Sequence, residues 1–267
     1  MTGASVAAGV GPASIVYAGA PPYNTPLCGA GTADPTTGVG SEPAFDPGEL
    51  QDKIVVCDRG TYGRVAKGQE VKNAGGIGMV LVNDAASGDS LTADMHVLPA
   101  VHITYDDGVT LKAWLAGGAN HTARITGLTE NTAAANGDVM GSFSSRGPNP
   151  SVPGVIKPDV TAPGVDIYAA FNTSLTTVGP TAPEFGIISG TSMSSPHAAG
   201  AVALLRKLKP TWTPNQLKSA LMTTGFTSLP GEGPEVHGVQ KEDSATAADP
   251  FDLGGGRVEL RRAARAG

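Results

Sequence analysis

Ser189-Gly190-Thr191-Ser192-Met193-Ser194-Ser195-Pro196-His197-Ala198-Ala199-Gly200 is the stretch on which the reading of this chain turns. The run from Ser192 to Leu208 predicts a helix. Its small residues, Ala198, Ala199, Gly200, Ala201 and Ala203, suit a helix that passes close to other backbones, as a fully buried central helix does. Ser192 then sits at the helix N-terminus, where free backbone N–H groups and the helix dipole favour negative charge. A serine hydroxyl is a weak nucleophile and needs a base to take its proton. The backbone N–H of Ser192 is placed to donate to an oxyanion formed by its attack. Taken alone, a serine here reads as an ordinary helix cap; the full motif favours the catalytic reading. An α/β-hydrolase elbow is excluded, because position 194 is serine where that motif needs glycine.

Working outward, Thr213-Pro214-Asn215-Gln216 has the composition of a capping box with proline in the first turn. It predicts a helix with Leu217, Leu221 and Thr224 on one face. Upstream, short strands are expected over Val139–Phe143, Val165–Tyr168 and Phe185–Ile188. Residues 130–137 are small and polar and mark a boundary. Before them, strands are predicted at Ser14–Tyr17, Lys53–Cys57, Ile77–Val82, within Leu98–Tyr105 and at His121–Thr126. Helices are expected over Arg64–Ala74 and Val109–Leu115, and an irregular loop over Pro21–Pro47. This pattern over about 120 residues predicts one α+β domain.

The chain has 267 residues, of which 40% are hydrophobic and 16% charged, a globular composition. A net charge of -6 and the lack of a basic run interleaved with aromatics argue against a nucleic-acid partner. No apolar stretch approaches the roughly 20 residues of a membrane span. No Cys/His cluster has zinc spacing, so no metal or cofactor is expected. Cys28 and Cys57 leave two readings open, a pair of buried free thiols or a disulfide tying a loop to a strand.

Three segments, Ser189–Gly200, Phe143-Ser144-Ser145-Arg146-Gly147-Pro148 and Lys157-Pro158-Asp159-Val160-Thr161-Ala162-Pro163-Gly164, resemble the subtilisin-like serine protease family. The likeness continues to Pro250–Gly256, then departs at Gly256-Arg257-Val258-Glu259, so the last residues are expected to pack differently. Lys53–Gly60, Asn73–Asn83 and Leu98–Gly108 resemble the protease-associated domain inserted into larger members. The resemblance implies an α/β fold: a partial subtilisin-like parallel-sheet catalytic domain plus an inserted α+β domain. Residues 1–11 would be a remnant of the catalytic domain, 12–128 the inserted domain and 129–267 the C-terminal part of the catalytic domain. It implies an endopeptidase acting through an acyl-enzyme on Ser192, with the Ser192 N–H as oxyanion donor and a protein or peptide as substrate. It also implies a secreted or cell-surface setting, hence a Cys28–Cys57 disulfide, and an inserted domain that caps or gates substrate access or mediates self-association.

The family orders its triad as Asp, His, Ser. The sequence contains no Asp-(Thr/Ser)-Gly and no His-Gly-Thr-His, so both partners are expected in a missing N-terminal part and the chain alone is expected to be inactive. If Met1 is the true start, the alternative is a non-catalytic pseudoprotease or a binding module built on the inserted domain. His197 matches the motif, but five positions on from Ser192 its side chain points away from the serine; hydrogen bonding within the core is expected for it. His96, His102, His121 and His237 are expected to be structural or surface residues. Arg146 is expected to anchor a turn, Asp159 to be structural, and Asp58, Asp106 and Asp107 to be turn or cap residues. Asn120-His121-Thr122 and Asn172-Thr173-Ser174 match the glycosylation pattern.

Overall fold

The runs Ile54–Cys57 and Gly78–Val82 are apolar at every position, as strands covered on both faces must be. The computed structural model describes residues 1–130, 137–170, 185–227, 238–242 and 246–267. Two compact units divide the chain, one of Met1–Thr129 with Tyr168–Ile188 and one of Glu130–Ile167 with Ser189–Gly267.

In the first unit, β1 (Val10–Tyr17), β2 (Ala30–Ala33), β3 (Gly40–Glu42) and β4 (Lys53–Asp58) precede α1 (Arg64–Asn73). Then come β5 (Gly78–Val82), β6 (Ala100–Ile103), α2 (Tyr105–Ala116) and β7 (Thr122–Ile125). The main sheet runs β6-β5-β4-β1-β7. The first four strands are parallel, with Ile15 opposite Ile54 and Ile54 opposite Gly78, and β7 is antiparallel to β1. Alternation does the rest. Val55, Cys57, Met79, Leu81 and Ala100 form one core with Val71 of α1. Ile54, Val56, Val80, Val82 and Ile103 form the other with Leu111 of α2. Each such aliphatic burial is worth roughly 1.5–3 kcal/mol. Residues ahead of β1 belong to the same unit, since Ala4 bridges His102 on β6.

Helix α2 begins four residues before the predicted Val109. Thr104 caps it by accepting from Asp107 N–H at 3.2 Å, and Asp106 and Asp107 sit in the first turn, where the dipole favours acids. Asp106 and Asp107 therefore belong to the helix itself. Gly108 is not a leader either: a Cβ there would meet Val82 at 1.9 Å, so glycine lets α2 approach β5. Asp58 is no turn residue; it accepts from Tyr17 Oη at 2.6 Å and Lys112 Nζ at 2.9 Å, tying β1, β4 and α2 together.

The loop expected to be irregular holds the hairpin β2–β3, which Ala30-Gly31-Thr32-Ala33 does not advertise because it has no β-branched or aromatic alternation. Cys28 and Cys57 are fully buried and joined in a disulfide. Beside it, the fully buried Lys67 of α1 donates to Leu27 O at 2.5 Å, so the loop is held by a covalent and a polar anchor. Two strands, β8 (Ile167–Ala170) and β9 (Phe185–Ile188), form a separate two-stranded sheet with the Tyr168 and Phe185 rings stacked 5.6 Å apart.

The second unit contains α3 (Thr191–Leu208), α4 (Pro214–Thr223), α5 (Pro250–Leu253) and α6 (Leu260–Ala264). The predicted capping box on α4 is complete, with both reciprocal bonds between Thr213 and Gln216. Ala201 and Leu205 of α3 pack with Leu217 and Leu221 of α4 and Ala263 of α6. The expectation of a helix buried all round is corrected: among the described residues α4 and α6 cover one side only, and Ala199, Gly200 and Ala203 are exposed. Leu204 and Leu208 are 58% and 61% exposed. Val139–Phe143 is no strand either; Val139 makes a single bridge to Gln240. The departing C-terminal segment is anchored by Gly254 and Gly256. Both have positive φ, and a Cβ on either would lie 2.5 or 2.6 Å from a backbone oxygen of Pro158 or Phe226.

Removing the disulfide frees a loop of sequence separation 29. A Cys28→Ala/Cys57→Ala double variant is expected to lose about 3.5 kcal/mol in the first unit. Urea unfolding measures it, and an unchanged midpoint would show that Lys67 and the hairpin hold the loop alone.

Candidate active site

Helix α3 starts where its sequence requires a break. Gly190 is extended, and its carbonyl accepts from Met193 N–H at 2.9 Å, closing the first turn. The residues ahead of the helix are pinned by a second segment. Gly190 N–H donates to Gly164 O at 2.8 Å. Ser189 Oγ accepts from Asp166 N–H at 2.7 Å and donates to Asp166 Oδ1 at 2.9 Å. A Cβ on Gly164 would lie 2.9 Å from Gly190 O and 3.2 Å from Ser194 Cβ, so only glycine permits the seam. Two of the sequence motifs, far apart in the chain, thus meet directly ahead of Ser192. Asp166 and Ser189 were not singled out from sequence as positioning groups. The one available signal was their place at the edges of the two motifs.

Ser192 is the second residue of α3 and is exposed. Neither its N–H nor its Oγ has a hydrogen-bond partner among the described residues. Pro196 lacks an N–H, so the Ser192 carbonyl also misses its donor one turn on. The first turn therefore offers an unpaired amide, the positive end of an 18-residue helix and a hydroxyl at one spot.

His197 is exposed and bonds through Nδ1 to Met193 O at 2.8 Å, along its own helix. The expected place in the core is corrected: it lies one turn before Ala201, and the cover given by α4 and α6 does not reach it. His102 is buried and His121 packs on Trp114 with ring centroids 4.2 Å apart. His96 is also in the first unit, and His237 lies outside the described residues. Of the two sequons, Asn120 is exposed before β7, and Asn172 lies outside the described residues.

Asp159 accepts ion pairs from Lys157 at 2.5 Å and Lys218 at 2.7 Å. Burial pushes its carboxyl up, but the two lysines outweigh that and hold it below the usual carboxylate range. Its role is to fasten the 157–164 segment to α4. Arg146 pairs with Glu242 and, at 3.0 Å, with the buried Asp252. Among the described residues no three His, Cys, Asp or Glu side chains converge as metal ligands would, and no helix is long and apolar enough to cross a membrane.

The sequence profile of the subtilase family matches residues 44–255. Subtilisin-like protease SBT5.4 of Arabidopsis thaliana is 43% identical over 231 residues, which cover 84% of this chain and 29% of that protein. Subtilisin-like protease SBT1.6 of the same plant is 40% identical over 230 residues, covering 85% and 30%. The chain thus spans about 30% of the length of the curated relatives it matches. A solved psychrophilic subtilisin-like protease, Apa1 from an Antarctic Pseudoalteromonas, aligns over 96% of this chain and 40% of its own at 14% identity. Its TM-score of 0.28 carries no structural inference.

Gly164→Ala is expected to destabilise the second unit by about 1–3 kcal/mol, because the new methyl must displace Gly190 or Ser194. Gly154→Ala, where a Cβ meets nothing within 4 Å, is the control. Denaturant melts compare the two; equal midpoints would show that the seam yields freely.

Proposed function

Since the chain belongs to the subtilase family, we propose that Ser192 is the nucleophile of a serine endopeptidase of which this chain forms the serine-bearing part. The observation that carries the proposal is the free first turn of α3: an exposed hydroxyl and an unpaired N–H on the same residue, ahead of which the chain is pinned by the 164–166 segment. Ser192 Oγ attacks the scissile carbonyl and its proton passes to a base. The oxyanion accepts from Ser192 N–H, the amine leaves with the proton, and water then cleaves the acyl-enzyme ester.

The chain carries no family motif for the aspartate or the histidine, and no described residue bonds to Ser192 Oγ. In this proposal both come from outside the chain. The substrate is a protein or peptide. Residues 12–128 form an inserted protease-associated domain, and residues 129–267 part of the catalytic domain. Support for the domain is its own sheet with two covered faces. The Cys28–Cys57 disulfide supports an oxidising, secreted or cell-surface setting. The lone Oγ also favours a second reading, a pseudoprotease whose first unit does the binding.

Two measurements separate these. The purified chain is expected to turn over no peptide substrate, since loss of the base alone costs such an enzyme about a million-fold. Turnover by the chain that is abolished by Ser192→Ala would overturn the external base. In the parent polypeptide carrying the aspartate and histidine, Ser192→Ala is expected to lower kcat by a similar factor. No turnover by that unsubstituted parent would favour the pseudoprotease, and a kcat unchanged in Ser192→Ala would refute Ser192 as the nucleophile.

A further inference from the structure

Strands β5 and β6 are parallel neighbours, yet residues 83–99 join them with no helix or strand. Crossovers of this kind usually run through a helix, and a loop of this length without regular structure calls for another means of support. Here that means is polar. Asn83 Nδ2 donates to Gly88 O and to Ser90 O, each at 2.9 Å. Arg64 of α1 grips Asp94 through Nε at 2.5 Å and Nη2 at 2.9 Å. Lys72 Nζ reaches Val97 O at 3.2 Å. His102, on β6 and 2% exposed, contacts Thr92.

The network assigns the proton on His102. Both hydrogens of the Asn83 amide are spent on carbonyls, and its Oδ1 accepts from Arg59 Nη1 at 3.1 Å. That oxygen lies 2.7 Å from His102 Nε2, so Nε2 carries the hydrogen and Nδ1 is bare. Nδ1 then accepts Thr92 N–H at 3.3 Å. A second proton must go to Nδ1, where Thr92 N–H, Oγ1 and O all lie at 3.3 Å. It exchanges the accepted N–H bond for one donated to oxygen and places a charge on a ring that is 2% exposed and shares Asn83 Oδ1 with Arg59.

We propose that residues 84–98 form an acid-released strap, held over the first core at neutral pH by neutral His102 and freed when that ring is protonated. The charged groups around the ring come from every side. Arg59 follows β4 and Arg64 opens α1; both oppose a second proton. Asp94 of the strap favours it, but its carboxylate is already engaged by Arg64. Asp84 and Asp89 are exposed, and Ala4 and Ser5 of the N-terminal segment are uncharged. His96 of the strap adds a second, half-buried ring, whose buried Nδ1 has no hydrogen-bond partner among the described residues. Release uncovers Leu98 and Ala93, both now buried.

Burial, only partly offset by the Thr92 bond and Asp94, pushes His102 down from 6.5 to about 4. A depressed histidine adds stability that is complete above 6.5 and is lost as pH falls towards 4. From His102 alone, the opening constant of the strap therefore rises about thirtyfold between pH 7.5 and 5.

Hydrogen–deuterium exchange of the full chain at those two pH values, corrected for intrinsic exchange, tests this. Amides of 84–98 should lose about thirtyfold protection while Lys53–Asp58 keeps its own, and His102→Gln should flatten the pH dependence. Equal protection at both pH values, equal loss across β4, or an undiminished response in His102→Gln would overturn the strap. If the variant does not fold, ring-nitrogen shifts of the wild-type chain decide. A neutral Nε2–H tautomer with a midpoint well below 6.5 supports the proposal. An Nδ1–H tautomer, or a midpoint at or above 6.5, refutes it.

Discussion

The hydrogen bond from Gly190 N–H to Gly164 O, with the paired contacts of Ser189 and Asp166 beside it, is the constraint on which the site depends. A helix N-terminus leaves its first amides unpaired wherever it is built. What turns one into a site is that the residues ahead of it cannot fray. Gly164 makes that possible by having no side chain, and Gly190 by leaving its carbonyl for Met193. The 157–164 segment is in turn fastened to α4 through Asp159 and Lys218, and α4 to α3 through Leu217 and Leu221. The position of Ser192 is thus set by a closed circuit of contacts within the second unit.

The first unit is held together by different means. Its sheet needs no polar help in the middle, because β4 and β5 bury alternate residues in two cores. The periphery is another matter. The 21–47 loop is anchored by the disulfide and by buried Lys67, and the crossover between β5 and β6 by Asn83, Arg64 and His102. Apolar contacts do not change with pH, whereas this second group of anchors contains the titrating ring of His102. The unit therefore combines a pH-insensitive centre with a pH-sensitive margin.

Much of this was legible in the sequence. The all-apolar runs of β4 and β5, the glycine stop after α1 and the capping box of α4 act over a few residues, and local patterns report local forces. Ser192 at the start of a helix was legible for the same reason. The β2–β3 hairpin was not, because Gly31 and Ala33 carry no strand signal and the hairpin is set instead by the turn at Asp34, whose Oδ1 accepts from Thr36 and Thr37. The start of α2 was misplaced because Gly108 looks like a breaker until Val82 is seen beneath it. The burial of α3 was overestimated, since small residues show what a helix can pack against and not what covers it. Asp166, Ser189 and the His102 network depend on groups far apart in the chain, which no window of sequence contains.

The central claim is that Ser192 is built for nucleophilic attack and that its base is not in this chain. Reaction of the purified chain with a fluorophosphonate, followed by intact mass and peptide mapping across pH 5–9, tests it most directly. The account predicts no adduct on Ser192 beyond that on the exposed Ser195, and no inflection near neutral pH. Stoichiometric labelling of Ser192 with an inflection near pH 7 would show that a histidine of this chain reaches the serine, and would contradict it.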